Sequence, residues 1–138
     1  MQTVLFACAD GAGRSQMAAA FFNTFAHRSR AHAIATCTRA TRAACPTIAE
    51  VMREAGVDLQ RSEPMLLTPE LARAGTLLVT MGCGDGLPDV THRLREEWCL
   101  PDPDGKDVAA VRDIRDDVRR RVRMLVHREG WMRADNGA

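Results

Sequence analysis

Val4-Leu5-Phe6-Ala7-Cys8-Ala9-Asp10-Gly11-Ala12-Gly13-Arg14-Ser15-Gln16-Met17 is the stretch on which the reading of this chain turns. Thr3 to Ala7 is a short apolar run of the kind that forms a buried strand. A turn with two glycines follows, and a helix is expected from about Ser15, with Met17, Phe21 and Phe25 at i, i+4 and i+8. A cysteine therefore ends a strand, and an arginine stands six residues later where a helix begins. In open α/β sheets ligands bind at the carboxyl ends of strands. A glycine-bearing turn there aims several backbone N–H groups at one point, and the helix N-terminus reinforces this anion nest. Arg14 adds a planar, permanently charged fork suited to a tetrahedral oxyanion. The field that attracts an anion also favours thiolate over thiol, so Cys8 becomes a nucleophile. Ser15 stands where its hydroxyl can donate to that sulfur. Gly11 and Gly13 fit positions that need positive φ or close backbone approach to a ligand.

The competing reading makes Cys8 a buried core cysteine and the glycines mere turn formers. A bare cysteine–arginine spacing is weak evidence. The strand before it, the helix after it, Ser15 and the two interior glycines together favour the chemical reading.

Working outward, short apolar runs alternate with amphipathic stretches, the pattern of an α/β domain with a parallel sheet. Ala31 to Thr36 reads as a weak second strand. Pro46 opens a helix with Ile48, Val51, Met52 and Ala55 on one face, closed by Gly56. Thr68-Pro69-Glu70 is a capped start for a short helix. Thr76 to Met81 is a buried strand ending in Gly82-Cys83-Gly84-Asp85, and Trp98 to Leu100 is a brief last strand. A long helix begins near Asp107, its stripe formed by Val108, Val111, Ile114, Val118, Val122 and Leu125. Its arginines, Arg119, Arg120, Arg121 and Arg123 among them, read as a solvated face diluted by Asp113, Asp116 and Asp117.

With 138 residues the chain is long enough for one sizeable core. We expect a single domain over residues 1–130 with a tail at 131–138. A net charge of +1 argues against general nucleic-acid or membrane-surface binding. The apolar start is too short for a signal peptide or a membrane span, so a cytoplasmic protein is expected. The five cysteines, at positions 8, 37, 45, 83 and 99, are then expected to be reduced; with no C-x-x-C pair, no metal site is expected.

Cys8 to Ser15 resembles the C-x5-R-S phosphate loop of low-molecular-weight tyrosine phosphatases and of the arsenate reductases built on their fold. Arg14-Ser15-Gln16-Met17-Ala18 is similar to the reductase version, as is Val111-Arg112-Asp113-Ile114-Arg115-Asp116. The likeness runs from Val4 to the terminal helix, and has no clear counterpart beyond about Arg128. It implies a three-layer sandwich with a four-stranded parallel sheet flanked by helices. It also implies that an oxyanion sits on the N–H groups of Ala9, Asp10, Gly11, Ala12, Gly13, Arg14 and Ser15, with arsenate as substrate and phosphate or sulfate as mimics. The family carries a general acid as an Asp-Pro pair, matched here by Asp102-Pro103. Taken alone, Pro101 to Gly105 reads as a simple turn; beside the Cys8 loop, Asp102 is preferred as the acid, with Asp104 its rival.

Phosphatases of this family usually follow Asp-Pro with tyrosine, and this chain has no tyrosine. Asp104-Gly105 after the pair, and Thr80-Met81-Gly82-Cys83-Gly84-Asp85, resemble the reductases, in which a cysteine after this strand is the second redox thiol. Against this, Cys83 also reads as a strand-end core cysteine. Thioredoxin-coupled reductases have a third cysteine just before a proline, where this chain has Leu87-Pro88. Cys99 and Cys37 are possible stand-ins. The resemblance thus implies no bound cofactor and an external thiol reductant: thioredoxin, or a low-molecular-weight thiol with a glutaredoxin- or mycoredoxin-like protein. Gly11, Ala19 and Ala35 replace residues that support potassium in some relatives, so potassium is not expected. The expected activity is conversion of arsenate to arsenite through a Cys8–arseno adduct resolved by Cys83 or an external thiol. The rival readings are a phosphomonoesterase with a Cys8 phosphoenzyme and a non-catalytic oxyanion or thiol sensor.

Overall fold

The computed structural model describes residues 1–10, 13–40, 46–59, 64–82 and 95–133, with the side chains of residues 9, 10, 39 and 40 left aside. β1 (Gln2–Asp10) leads into α1 (Arg14–Phe25), β2 (Ala31–Ala40) and α2 (Pro46–Glu54). Then come β3 (Met65–Leu66), α3 (Pro69–Ala74), β4 (Leu77–Thr80), β5 (Arg95–Glu97) and α4 (Val108–Arg128). The strands form one parallel sheet in the order β3-β2-β1-β4-β5.

Alternation along β1 assigns its side chains to two layers. Val4, Phe6 and Cys8 face a large cluster shared with α1, α2 and α4. Leu5 and Ala7 face a small one with Leu67, Leu78 and Ala72 of α3. The result is the expected three-layer sandwich, with a thick helical layer on one face. Phe6 lies at the heart of the thick side, its ring 6.0 Å from Phe22 and 5.6 Å from Trp98. Asn23 fixes α1 against β2 by giving its amide to the Ala33 carbonyl (3.0 Å) and accepting the Ala33 N–H (2.8 Å).

The sheet has five strands, not four. The addition is β3, two exposed residues that pair with Thr36 and Cys37 at the sheet edge. A strand this short carries no periodic signal, which is why the sequence does not announce it. The last strand also lies earlier than expected, at Arg95–Glu97 instead of Trp98 to Leu100. It is a charged edge strand, a common protection against unwanted pairing, so it lacks an apolar pattern. Trp98 still adds one rung, its N–H donating to the Thr80 carbonyl at 2.7 Å.

The predicted cap at Thr68 is present, and Asp107, expected only as the start of the last helix, proves to be its cap. Thr68 accepts the Leu71 N–H at 3.1 Å, and Asp107 accepts the Ala110 N–H at 2.9 Å. α4 buries Val111, Ile114, Val118, Val122 and Leu125, and its arginines pair with acids on the same face. Arg112 and Arg115 of α4 both reach Glu54 of α2, and Arg115 also donates to the Val51 carbonyl. Beyond α4, Trp131 stacks edge-on with Phe22 and Met132 bridges to Ala26. Among the described residues no helix is long and apolar enough to cross a membrane.

Candidate active site

The chain leaves β1 for β2 and β3 on one side, then returns to β4 and β5 on the other. The crevice at such a switch point, beyond the carboxyl ends of β1 and β4, is where an open α/β sheet accepts ligands. Cys8 sits near the end of β1, fully buried, and the register with β2 shifts between Cys8 and Asp10. Pairing resumes at Asp10 with Ala40, so the irregularity is a local bulge next to the cysteine.

Gly13 caps α1 with φ +124° and no side-chain cap. A Cβ there would lie 2.9 Å from Ile48 Cγ1, so both backbone conformation and space demand glycine. Gly13 has no side chain to accept the first N–H groups of α1, the groups that bind anions at a helix start. The helix dipole places partial positive charge there.

Two side chains of the first helical turn reach the site. Cys8 Sγ donates to Ser15 Oγ at 3.2 Å; on ionisation the hydroxyl turns to donate to the thiolate, stabilising it. Arg14 is 6% exposed. Its NH1 group donates to the Met81 carbonyl at 3.3 Å and the Leu100 carbonyl at 3.0 Å. Its Nε–H is buried and has no acceptor, and no carboxylate pairs with it among the described residues. A buried cation satisfied only by neutral carbonyls is costly unless an anion joins it. This corner of the fold is built to receive one.

Leu100 also brings in the acid candidate. Two residues on, Asp102 is exposed and accepts the Asp104 N–H at 2.9 Å, a turn in which Pro103 is buried. The turn closes with the Lys106 N–H donating to the Pro103 carbonyl at 3.2 Å, and Gly105 takes φ +77°. Asp104 uses its N–H to hold the Asp102 carboxylate, so the two rivals lie in one turn.

The structure thus brings Cys8, Arg14 and Ser15 together and runs the Asp102 segment past Arg14. Gly11, Ala12 and Cys83 lie outside the described residues, and of Ala9 and Asp10 only the backbone is described. Among the described residues no group of three or more His, Cys, Asp or Glu side chains is placed to hold a metal. One expectation fails: the cysteines are not all reduced. Cys99, exposed just after β5, is disulfide-bonded, whereas Cys8 and Cys37 are reduced thiols.

No family model matches the chain. A glutaredoxin arsenate reductase from Synechocystis is 34% identical over 133 residues, covering 91% of this chain and 97% of the relative. The chain belongs to the arsenate reductases. The solved structure of an arsenate reductase in the phosphate-binding state superposes with a TM-score of 0.79 at 29% identity, covering 93% of this chain and 98% of that one. The thioredoxin-dependent arsenate reductase of Corynebacterium glutamicum gives 0.77 at 30% identity, covering 93% of this chain and 61% of that one. An arginine phosphatase from Geobacillus stearothermophilus shares the fold at 18% identity and a TM-score of 0.80, covering 94% of each chain.

For an arsenate reductase, three supports of this site were not foreseeable from the motif. The carbonyls of Met81 and Leu100 hold Arg14, and Ile48 fills the space that Gly13 leaves. Backbone acceptors carry no residue signature. Ile48 shows in the sequence only as a core position of α2.

Proposed function

We propose that this protein reduces arsenate to arsenite. The observation that carries the reading is the buried, anion-seeking Arg14 in the same helical turn as Ser15, whose hydroxyl meets Cys8 Sγ. Arsenate lies across the N–H groups of residues 9–15 and on the Arg14 fork. The Cys8 thiolate attacks arsenic, and Asp102 protonates the departing oxygen as general acid. A second thiol then attacks Cys8 Sγ, forming an S–S bond as the S–As bond breaks. Arsenic keeps the electron pair and leaves as arsenite. Cys83 or an external thiol serves as that second thiol.

The disulfide is reopened by thioredoxin, or by a low-molecular-weight thiol with a glutaredoxin- or mycoredoxin-like protein. The glutaredoxin-type and thioredoxin-dependent relatives support an external thiol reductant. Action in the cytoplasm, where such reductants work, belongs to the same reading.

The test follows arsenate-dependent oxidation of reductant, once with thioredoxin and once with small thiol plus glutaredoxin, beside hydrolysis of p-nitrophenyl phosphate. Reduction with either system, feeble ester hydrolysis, and complete loss in Cys8→Ser with the fold intact are expected. Brisk hydrolysis without reduction would replace this reading with the phosphomonoesterase, and turnover by Cys8→Ser would discard both.

A further inference from the structure

We propose that Cys37 is a second redox site, which captures an oxidised Cys8 as an intramolecular disulfide and so spares the nucleophile from irreversible oxidation. The inference needs Cys8 to be a reactive thiolate; it does not need arsenate to be the substrate.

The geometry comes from the sheet. β1 and β2 are parallel, and Cys8 and Cys37 are Cα partners in their register. Paired strands lie about 4.8 Å apart, inside the roughly 4.4–6.8 Å that separates the Cα atoms of a disulfide. Partners in register point to the same face. Along β1, Val4 and Phe6 share the large cluster with Cys8; along β2, Ala31 and Ala33 belong to it and Ala35 packs against it, so Cys37 follows in phase. The Cys8 sulfur already leans toward β2, with Sγ 4.0 Å from the carbonyl of Thr36, the residue before Cys37. Both thiols are reduced and fully buried.

Position separates Cys37 from the binding machinery. Arg14 is anchored on the β4 side of β1, through Met81 and Leu100. Cys37 lies on the opposite side, between β1 and β3. It can therefore approach Cys8 without displacing the groups that hold an oxyanion. The register shift just after Cys8 gives the backbone a place to yield as the sulfurs close.

The chemistry balances with a hydroperoxide as oxidant. The Cys8 thiolate attacks one oxygen of hydrogen peroxide, the O–O bond breaks, and hydroxide leaves; the product is a sulfenic acid. The Cys37 sulfur attacks Cys8 Sγ, the S–S bond forms, and the S–O bond breaks. Water leaves carrying the Cys37 proton. Two thiols lose two electrons, and one peroxide becomes two waters. Hydrogen peroxide is small and neutral, so any path that admits an oxyanion to Cys8 admits it too. A sulfenic acid without a nearby thiol goes on to sulfinic acid, which thiols do not reverse.

The reduced full-length protein is treated with a severalfold molar excess of hydrogen peroxide, enough for both oxidation steps at Cys8, blocked with N-ethylmaleimide, and digested without reductant for mass spectrometry. We expect the Cys8 and Cys37 peptides joined, and iodoacetamide labelling of Cys8 restored by dithiothreitol. In Cys37→Ser and Cys37→Ala, Cys8 should become sulfinic acid, with labelling recovered to roughly a tenth of the wild-type level or less. Cys8 joined to Cys83 or Cys99 instead would overturn the proposal. So would a wild-type protein that hyperoxidises as fast as the variants. Mapping the wild-type bond needs no variant to fold, and none of these readouts uses arsenate.

Discussion

Gly13→Ala adds one methyl group at the point where the strand end becomes the helix carrying Arg14 and Ser15. Its cost has two separable parts. The first is conformational: Gly13 has φ +124°, and an L-residue held there costs about 1–3 kcal/mol. The second is steric. The new Cβ would lie 2.9 Å from Ile48 Cγ1 and 3.2 Å from both Cδ1 and Cγ2. Ile48 is fully buried and β-branched, so it has little freedom to move aside. Overpacking of this kind costs about 1–3 kcal/mol. The sum, about 2–6 kcal/mol, corresponds to a fall in Tm of roughly 6–18 °C for a chain of this size. Ile48→Ala removes all three crowding atoms and by itself costs about 2–5 kcal/mol. In Gly13→Ala/Ile48→Ala the steric part disappears and the conformational part stays. The double-mutant cycle should then show the pair less destabilised than the sum of the singles by about 1–3 kcal/mol. Urea unfolding of the four proteins measures this, provided the m-value holds constant. Arg14 moves with the helix start, so kcat/KM for arsenate should fall about 10- to 100-fold in Gly13→Ala. A Gly13→Ala protein within about 0.5 kcal/mol of wild type, or a cycle with no coupling, would refute the reasoning.

Asp102→Asn should lower kcat about 10²- to 10⁴-fold while leaving unfolding unchanged, because asparagine still accepts the Asp104 N–H. If Asp104→Asn produces the loss and Asp102→Asn does not, the acid is Asp104. The Glu54 carboxyl is held down from its ordinary 4.5 to about 2, first by its hydrogen bond from Arg112 and also by Arg115. A carboxyl lowered in the folded state contributes stability that is present above 4.5 and is lost as pH falls toward 2. Urea midpoints should therefore drop more steeply over that window in the wild type than in Glu54→Gln. Equal slopes would show that the α2–α4 contact does not depend on the charge.

What the sequence disclosed follows from how strongly each feature is dictated by side chains. The Cys8 loop was legible because an anion nest requires glycine at Gly13, a fork at Arg14 and a hydroxyl at Ser15, each a distinctive residue in a fixed order. The cap at Thr68 is legible for the same reason, and so is the stripe of α4 apart from Val108, which lies exposed in the first helical turn. β3 was not, because two residues at an edge are held by backbone pairing with β2. β5 was misplaced onto the buried Trp98 and Leu100, since burial rather than strand geometry produced the apolar signal. The oxidised state of Cys99 could not be read at all: whether two thiols meet depends on where the fold brings distant segments.

The grip on Arg14 has an evolutionary consequence. Both groups that orient its guanidinium are main-chain carbonyls, of Met81 and Leu100. No change of side chain at either position removes a carbonyl, so sequence drift there can alter packing without deleting the arginine's anchor. Were the anchors carboxylates, each would be one mutation from loss, and each would also cancel the charge an oxyanion needs to find. Neutral backbone acceptors aim the cation and leave its charge available. Lineages sharing this fold can therefore vary the walls around the arginine widely while its aim is inherited with the backbone.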